Sequence, residues 1–191
     1  MTRNPDATRR RLFDAAVAEF GDHGIAGARI DRIAKRACAN KQLIYAYYGG
    51  KQELFDQVVT DQVARFHESV QLDPADVPGF AGAAFDFFTD NPTIVRLATW
   101  HSLEPAQATT RIAAIDRSIK EHVRVVGAAQ KAGLVDTTFA PEQLMAMIFG
   151  LARTWVANTP EFRLTDAEER KSRPARRAAV VEATRRLVTP R

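Results

Sequence analysis

The feature that most constrains the fold of this 191-residue chain is helical periodicity interrupted by glycine and proline. Apolar residues recur every three to four positions, whereas no run of alternating β-branched residues is long enough to indicate a strand. We therefore predict an all-α fold whose helices begin and end near these interruptions. The predicted helices cover about residues 5–24, 29–37, 41–47, 51–71, 79–89, 92–103, 107–132, 141–158 and 165–188.

Two short helical segments near the N-terminus have the spacing of a helix-turn-helix. Residues 30–37 are followed, after about three residues, by a second segment at 41–47, a separation typical of this motif. Asn40 is predicted to cap the second helix, because its side-chain oxygen can accept from free backbone N–H groups of the first turn. Ile44 and Tyr48 are four residues apart and are predicted to point inward together. The opposite side of the second helix would then be open to a partner.

The open side of the second helix carries side chains suited to the major groove of B-DNA, which accommodates a helix of this size. Lys41 can pair with guanine or phosphate, Gln42 can bond adenine at two positions, and Leu43 can touch a thymine methyl group. Lys51 follows two glycines at a helix start that favours phosphate, and Arg29 offers another charged phosphate contact. The predicted DNA-binding residues are Arg29, Lys41, Gln42, Leu43, Tyr45, Tyr47 and Lys51.

The charge distribution supports a polyanionic partner for the N-terminal part of the chain. Residues 1–51 contain 10 Lys/Arg and 5 Asp/Glu, a net charge of +5, whereas residues 52–162 contain 8 and 14, a net charge of −6. Residues 163–191 contain 9 and 4, but their arginines alternate with Ala and Val and are interpreted as a solvated helix surface. The basic N-terminal block is therefore the part that suits double-stranded DNA.

Composition indicates a globular protein with a packed core, since 46% of the residues are hydrophobic and 26% are charged. No apolar run approaches the ~20 residues that cross a bilayer, so no membrane partner is expected. The first residues lack an apolar signal core, and we expect a cytoplasmic location. The single cysteine, Cys38, excludes an intrachain disulfide and is interpreted as an inert thiol in preference to a redox switch.

Four groups of residues occur in a fixed order within about residues 8–55. They are RLFDAA at 11–16, FGDHG at 20–24, IAKRA at 33–37 and LIYAYYGGKQELF at 43–55. In sequence and spacing they resemble the N-terminal domain of TetR-type transcriptional regulators. The resemblance implies an all-helical homodimer of about nine helices, DNA binding by the first three helices and control by a small molecule. We accordingly predict a helix-turn-helix DNA-binding domain at 1–50 and a helical effector-binding and dimerisation domain at 51–191.

Three positions depart from the family pattern. Ala28 and Arg29 stand where two hydroxyl residues usually precede the second helix, which removes a cap and a phosphate ligand. Cys38 stands where glycine is usual in the turn, and a cysteine in a left-handed conformation carries strain. Tyr48 stands where phenylalanine is usual, so its hydroxyl needs a hydrogen-bond partner or an edge open to water.

The C-terminal body combines many aromatic residues with isolated polar ones. Most of the rings are expected in the core, but some could line an apolar cavity in which a few polar groups fix a ligand. We predict a mid-sized hydrophobic or aromatic effector, whose identity the sequence leaves open. The candidate pocket residues are Phe66, Phe88, Trp100, His101, Glu104, His122 and Trp155.

Two late helices carry apolar residues at matching helical spacing. Two such helices from each of two chains can form a four-helix interface around a two-fold axis, so a homodimer is predicted. The predicted interface residues are Leu144, Met145, Ile148, Leu151, Ala152, Val180, Ala183 and Leu187.

Three functional hypotheses follow. The leading one is a repressor that a small effector releases from a palindromic operator, and the second is a dimeric DNA-binding regulator whose body binds no small molecule or binds a protein partner. The third is an enzyme or ligand carrier whose helical hairpin only resembles a DNA-binding motif. Catalysis and a cofactor are not expected, because the sequence contains no Gly-rich phosphate loop, no nucleophile beside a base and no recognisable metal set. His101 and Glu104 share a helix side but have no third metal ligand in sight.

Overall fold

The computed structural model describes residues 4–103, 112–156 and 164–190, and within these ranges it contains helices and turns without a strand. The all-α prediction is therefore confirmed. None of the helices in these ranges is long and apolar enough to cross a lipid bilayer. The described residues form nine helices: α1 (Pro5–Gly27), α2 (Ile30–Arg36), α3 (Gln42–Tyr48), α4 (Lys51–Ser69), α5 (Val77–Asp90), α6 (Pro92–Leu103), α7 (Ala113–Lys131), α8 (Pro141–Arg153) and α9 (Asp166–Val188).

Helix boundaries follow local capping chemistry. The side chain of Asn4 accepts from the backbone N–H groups of Asp6 and Ala7, and Pro5 occupies the first turn of α1 as predicted. The predicted end at Gly24 coincides with a break in the helix, beyond which α1 continues to Gly27. Gly24 has a φ of 64°, and a Cβ there would lie 2.9 Å from the Trp100 ring, so both the backbone and the space require glycine.

Packing divides the chain into two compact units. The first unit comprises Met1–Val63 and Thr93–Ala114, and the second comprises Ala64–Pro92 and Ile115–Arg191. The first part of α4 and α6 from Thr93 onward thus belong to the same unit as the N-terminal helices. The predicted functional boundary at residue 50 remains a prediction.

The core of the first unit is formed by large side chains from α1 to α4. Leu12 and Phe20 of α1 are fully buried together with Ile33 of α2 and Ile44 of α3. The rings of Phe20 and Phe55 meet edge to face with centroids 5.1 Å apart, a favoured geometry for an aromatic pair. This core fixes both short helices against α1, since a seven-residue helix is not stable alone in water.

The second unit is held by an aromatic interior and by ion pairs between α5 and α9. The guanidinium of Arg173 contacts both carboxylate oxygens of Asp90 and reaches Asp86, which also accepts from Arg177 at 2.6 Å. Hydrogen bonding from Arg173 lowers the pKa of the Asp90 carboxyl below its ordinary value. At Gly82 an added Cβ would meet Arg177 and Val181 at 2.9 Å, so α5 and α9 approach each other closely at that point.

Candidate nucleic-acid interface

The turn between α2 and α3 closes through backbone hydrogen bonds. The N–H of Ala39 bonds to the carbonyl of Ala34, and the N–H of Cys38 bonds to the carbonyl of Lys35. These two bonds form a Schellman motif, whose residue in the left-handed conformation is usually glycine. Here that residue is Cys38, with a φ of 49° and an exposed side chain. The turn therefore keeps the left-handed conformation at position 38, although a cysteine occupies it.

The start of α3 differs slightly from the prediction. Lys41, and not Asn40, is the N-cap residue, and the helix begins at Gln42. The side chain of Asn40 still satisfies the first turn, because its Oδ1 accepts from the backbone N–H of Gln42 at 2.9 Å. Asn40 therefore caps α3 as the sequence predicts, although it lies one residue before the N-cap position.

α3 has one buried side and one exposed side. Ile44 and Tyr48 are buried as predicted. Lys41, Gln42 and Tyr45 are exposed, and Tyr45 retains 56% of its accessible surface. Leu43 and Tyr47 are half-buried at the margins. Three polar or aromatic side chains of the predicted DNA-binding set thus share one open surface.

Tyr48 anchors α3 to α1 through its hydroxyl and its ring. The hydroxyl donates to the carbonyl oxygen of Arg9 at 2.7 Å, which supplies the partner that the sequence requires. The ring contacts Phe13, and the guanidinium of Arg9 lies over it at 5.6 Å from the centroid. Burial raises the pKa of the Tyr48 phenol, so the hydroxyl stays protonated and remains a donor.

The predicted cationic contacts lie in the same unit. Lys41 pairs with Asp31 of α2 at 3.2 Å, but both side chains are more than half exposed. Such a surface pair is worth only about 0–1 kcal/mol, so Lys41 can exchange it for a phosphate or a base. Lys51 is half-buried and donates to the carbonyl of Ala28 at 3.2 Å, next to exposed Arg29. Arg29 and Lys51 therefore flank the same junction between α1 and α2.

Several residues that the sequence analysis did not select belong to this region. Glu19 is a buried carboxylate of α1 that accepts from the backbone N–H of Arg29 and from the side chain of Arg32. One sequence signal could have found it, because Glu19 falls next to Phe20 on the apolar side of α1. Exposed cations beyond the predicted set are Arg9, Arg10, Arg11, Arg32, Lys35 and Arg36.

The seven predicted pocket residues do not form one group. Phe66, Phe88 and His122 meet in the second unit, where the Phe66 and Phe88 rings stack at 5.3 Å and the Phe66 and His122 rings lie 6.2 Å apart. Phe80, Phe87 and Phe149 complete this aromatic cluster. Burial lowers the pKa of His122, so its imidazole is held in the neutral form.

The other pocket candidates lie elsewhere. Trp100 and His101 belong to the first unit, where Trp100 covers Gly24 and the His101 ring lies 6.4 Å from that of Phe55. Trp155 belongs to the second unit, and the guanidinium of Arg176 lies over its ring at 4.4 Å. Glu104 lies outside the described residues. The prediction that places Trp100 and His101 in the C-terminal body is therefore corrected, because α6 packs with the N-terminal helices.

Most of the predicted dimer residues are already covered within the protomer. Leu144, Met145, Ile148, Ala152 and Val180 are each at most 3% exposed. They therefore form the interior of the second unit and leave almost no surface for a partner, which corrects their assignment as interface side chains. Leu151, Ala183 and Leu187 are half-buried. The exposed side chains on these helices include Gln143, Ala146, Ala175, Ala178 and Ala179.

Comparison with known families matches both parts of the chain. Residues 12–58 match the model described as bacterial regulatory proteins, tetR family. Residues 76–186 match the model described as tetracyclin repressor-like, C-terminal domain. The two matches together span the helix-turn-helix and most of the second unit.

Individual relatives agree with these matches. The chain is 39% identical over 162 residues to the HTH-type transcriptional repressor SCO4008 of Streptomyces coelicolor, covering 84% of each protein. It is 30% identical over 105 residues to the HTH-type transcriptional repressor NicS of Pseudomonas putida, covering 51% of this chain and 50% of NicS. The solved structure of a proposed transcriptional regulator, SCO4942 of Streptomyces coelicolor, superposes with a TM-score of 0.80 at 39% identity and covers 95% of this chain and 98% of that one. The chain therefore belongs to the TetR family and is a DNA-binding transcriptional regulator.

Proposed function

We propose that this regulator is a cytoplasmic repressor that binds a palindromic operator as a homodimer and leaves it when a small hydrophobic or aromatic effector binds. The observation that carries the DNA-binding part is α3, which buries Ile44 and Tyr48 and exposes Lys41, Gln42 and Tyr45. Regulators of the TetR family bind DNA operators and function as dimers, and two of the relatives are named repressors. The proposal assigns no catalysis to the chain.

Within this proposal the predicted DNA-binding residues have two kinds of role. Lys41, Gln42 and Tyr45 contact base edges, because they share the open side of α3. Arg29 and Lys51 contact phosphates beside the junction of α1 and α2, which fixes the register of the protein on the duplex. Leu43 and Tyr47, which are half-buried at the margins of α3, add apolar contacts to the DNA.

The proposed dimer uses the outer sides of α8 and α9. Ala146 and Gly150 are exposed on α8, and nothing lies within 4 Å of a Cβ built at Gly150. Ala175 and Ala179 are exposed on α9. Small side chains allow two helices to approach closely, so these sides suit a helical interface in which half-buried Leu151 and Leu187 are covered by the partner.

The proposed effector site is the aromatic cluster of the second unit. The cluster offers several aromatic rings for an apolar ligand, and His67 and His122 lie beside them with their own rings stacked at 5.1 Å. Ser118 bonds to both imidazoles, through its hydroxyl to His67 and through its carbonyl to His122. α4 contributes residues to both units, so a ligand that displaces its second half can act on the DNA-binding helices.

One observation favours the alternative, a dimeric regulator that binds no small molecule or binds a protein partner. Phe66 makes close contacts with four other phenylalanine rings, at centroid distances between 5.3 and 6.3 Å. These are the spacings of an ordinary packed aromatic core. In the alternative the cluster stabilises the second unit and has no ligand.

DNA binding is tested by footprinting on the promoter of the protein's own gene, followed by a salt titration of the protected site. We expect log affinity to fall with log salt by about 0.9 for each phosphate that is neutralised. Lys51→Ala should weaken operator and unrelated DNA alike, whereas Lys131→Ala, at an exposed position of α7, should change neither. A flat salt dependence without a protected site would contradict the proposal.

Effector control is tested with a panel of hydrophobic and aromatic compounds. Compounds that raise the melting temperature are added to a complex of the protein with labelled operator. A differential affinity of ~1–3 kcal/mol between the two states lowers operator affinity some 5- to 150-fold. Release of operator supports the proposal, and Phe149→Leu should alter the potency of the compound. Stabilising compounds that never release operator would contradict effector control, and a panel without any stabilising compound would favour the alternative.

A further inference from the structure

The N-terminus of α2 is capped from another helix. α2 has only seven residues, and within the described residues its N-cap Arg29 makes no side-chain capping hydrogen bond. A short helix without a cap loses one of the contacts that normally define its start. The backbone N–H of Arg29 is nevertheless satisfied, because the Oε1 atom of Glu19 accepts from it at 2.9 Å.

Glu19 is well suited to this task. Its side chain is 6% exposed, and the guanidinium of Arg32 contacts its Oε1 at 2.6 Å. Arg32 also donates to the carbonyl of Gly27, the last residue of α1, at 2.7 Å. The Glu19–Arg32 pair thus places a carboxylate at the start of α2 and a guanidinium at the end of α1. The helix dipole stabilises a negative charge at a helix N-terminus and a positive charge at a helix C-terminus, so both groups are favourably placed.

A second contact binds the other end of α2 to the same helix. Arg11 of α1 donates to the carbonyl of Ala37, the C-cap residue of α2, at 3.3 Å. Arg11 and Glu19 are eight residues apart, as are Arg29 and Ala37, and eight helical residues span about 12 Å. α1 therefore holds α2 at both ends, with a cation at its C-terminal end and an anion at its N-terminal end.

We infer that Glu19 is a positioning residue for DNA recognition, since it fixes the start of α2 and thereby the orientation of α3. α2 constrains α3 through the backbone hydrogen bonds of the Schellman turn that joins them. The inference rests on operator binding by this unit. Glu19 itself is buried beneath Arg29 and touches no DNA, so its effect on recognition passes through the backbone of α2.

The first test compares the removal of this carboxylate with the removal of an exposed one. Glu19→Leu and Glu19→Gln are prepared together with Asp14→Asn, which removes an exposed carboxylate from the same helix and so matches the charge change of Glu19→Gln. We expect Glu19→Leu to lower operator affinity about tenfold or more, because the backbone N–H of Arg29 and the guanidinium of Arg32 both lose the oxygen that accepts from them. Affinity for unrelated DNA of equal length should stay within about twofold, since that binding depends on charge. Glu19→Gln should lose less, because its amide oxygen can still accept from Arg29, and Asp14→Asn should bind as the unchanged protein does.

The second test moves the cap onto α2 itself. Position 32 is the third residue of α2, from which a glutamate side chain can reach back to the N-cap backbone N–H. Glu19→Leu combined with Arg32→Glu should therefore recover most of the operator affinity that Glu19→Leu loses. Arg32→Glu alone should bind poorly, because it places two carboxylates together. A general loss of packing would not be repaired by this second substitution.

Amide hydrogen exchange gives a readout without DNA. We expect the Arg29 amide to exchange much faster in Glu19→Leu and to regain protection in the double variant, while α8 stays protected. Unchanged operator affinity and unchanged Arg29 exchange in Glu19→Leu, or a double variant no better than the single one, would overturn the inference. If the unchanged protein shows no operator preference, the operator proposal fails, and the exchange measurements still decide the role of Glu19.

Discussion

The candidate functional residues of the first compact unit are exposed, whereas those of the second are buried. In the first unit Lys41, Gln42 and Tyr45 are exposed on a helix whose other side is packed. In the second unit Phe66 and His122 are buried among other rings. An exposed side chain contributes little to folding, whereas a buried one contributes much. Substitutions of the exposed residues in the first unit should therefore change DNA affinity without changing stability, whereas substitutions of the buried residues in the second unit should change both.

The largest effect is expected inside the second unit. Ile148 is fully buried in α8, so Ile148→Asp should destabilise the protein by about 4 kcal/mol or more, because it buries an unpaired charge. Ala146→Asp, at an exposed position on the same helix, should leave unfolding almost unchanged and weaken the dimer. Chemical denaturation and sedimentation measure the two effects. A folded Ile148→Asp monomer of ordinary stability would break the comparison.

Two tyrosines of α3 separate burial from recognition within the first unit. Tyr48→Phe loses the hydrogen bond to the Arg9 carbonyl, so we expect a loss of about 1 kcal/mol in the free energy of unfolding. Tyr45→Phe removes an exposed hydroxyl and should leave that free energy unchanged while operator affinity falls. Equal stability losses in the two variants would show that exposure does not distinguish the two sides of α3.

Replacing Cys38 by glycine is expected to have a smaller effect, and to increase stability where Ile148→Asp and Tyr48→Phe decrease it. The left-handed backbone at Cys38 costs an L-residue about 1–2 kcal/mol. Glycine avoids this cost, but it also increases the conformational entropy of the unfolded chain, which offsets part of the gain. Cys38→Gly should therefore raise the free energy of unfolding by less than about 1 kcal/mol. Thermal denaturation tests this, with Cys38→Ala as the control that removes the thiol and retains the strain. Stabilisation by alanine but not by glycine would contradict the account of the turn.

The smallest effect is the pH dependence of the second unit. Burial lowers the pKa of His122 below its ordinary value of 6.5, so the unfolded chain binds a proton that the folded chain does not. Stability should fall as pH drops below 6.5 and level off once pH passes the folded pKa. The neighbouring titratable groups are the stacked His67 ring and Glu121. His122→Gln should flatten this part of the stability profile, which denaturation at a series of pH values measures.

The helix-turn-helix could be predicted because its determinants are local. The spacing of Ile44 and Tyr48 defines which side of α3 is buried, and the structure confirms that pattern. The periodicity of α1 places Glu19 on the apolar side, but its contacts could not be predicted in this way, since they depend on Arg32, thirteen residues later. A buried carboxylate is stable only with such a partner, and the partner is known only once the helices are packed.

The second unit was harder to predict because an apolar stripe does not reveal what covers it. Leu144 and Ile148 repeat at the spacing of an interface, but the protomer's own helices bury them. Trp100 and His101 follow the N-terminal helices by many residues, yet α6 packs with those helices. Periodicity shows that a side is buried, and only the tertiary arrangement shows by which element.

The central claim is that exposed side chains of α3 contact bases while cations beside it contact phosphates. It is tested most directly by measuring the affinity for every single-base variant of the operator half-site, for the unchanged protein, Gln42→Ala and Lys51→Ala. We predict that Gln42→Ala loses about 1–3 kcal/mol of discrimination at one position of each half-site. Lys51→Ala should lower every affinity by the same factor and leave the profile unchanged. An unaltered base profile in Gln42→Ala, together with an altered one in Lys51→Ala, would contradict the claim.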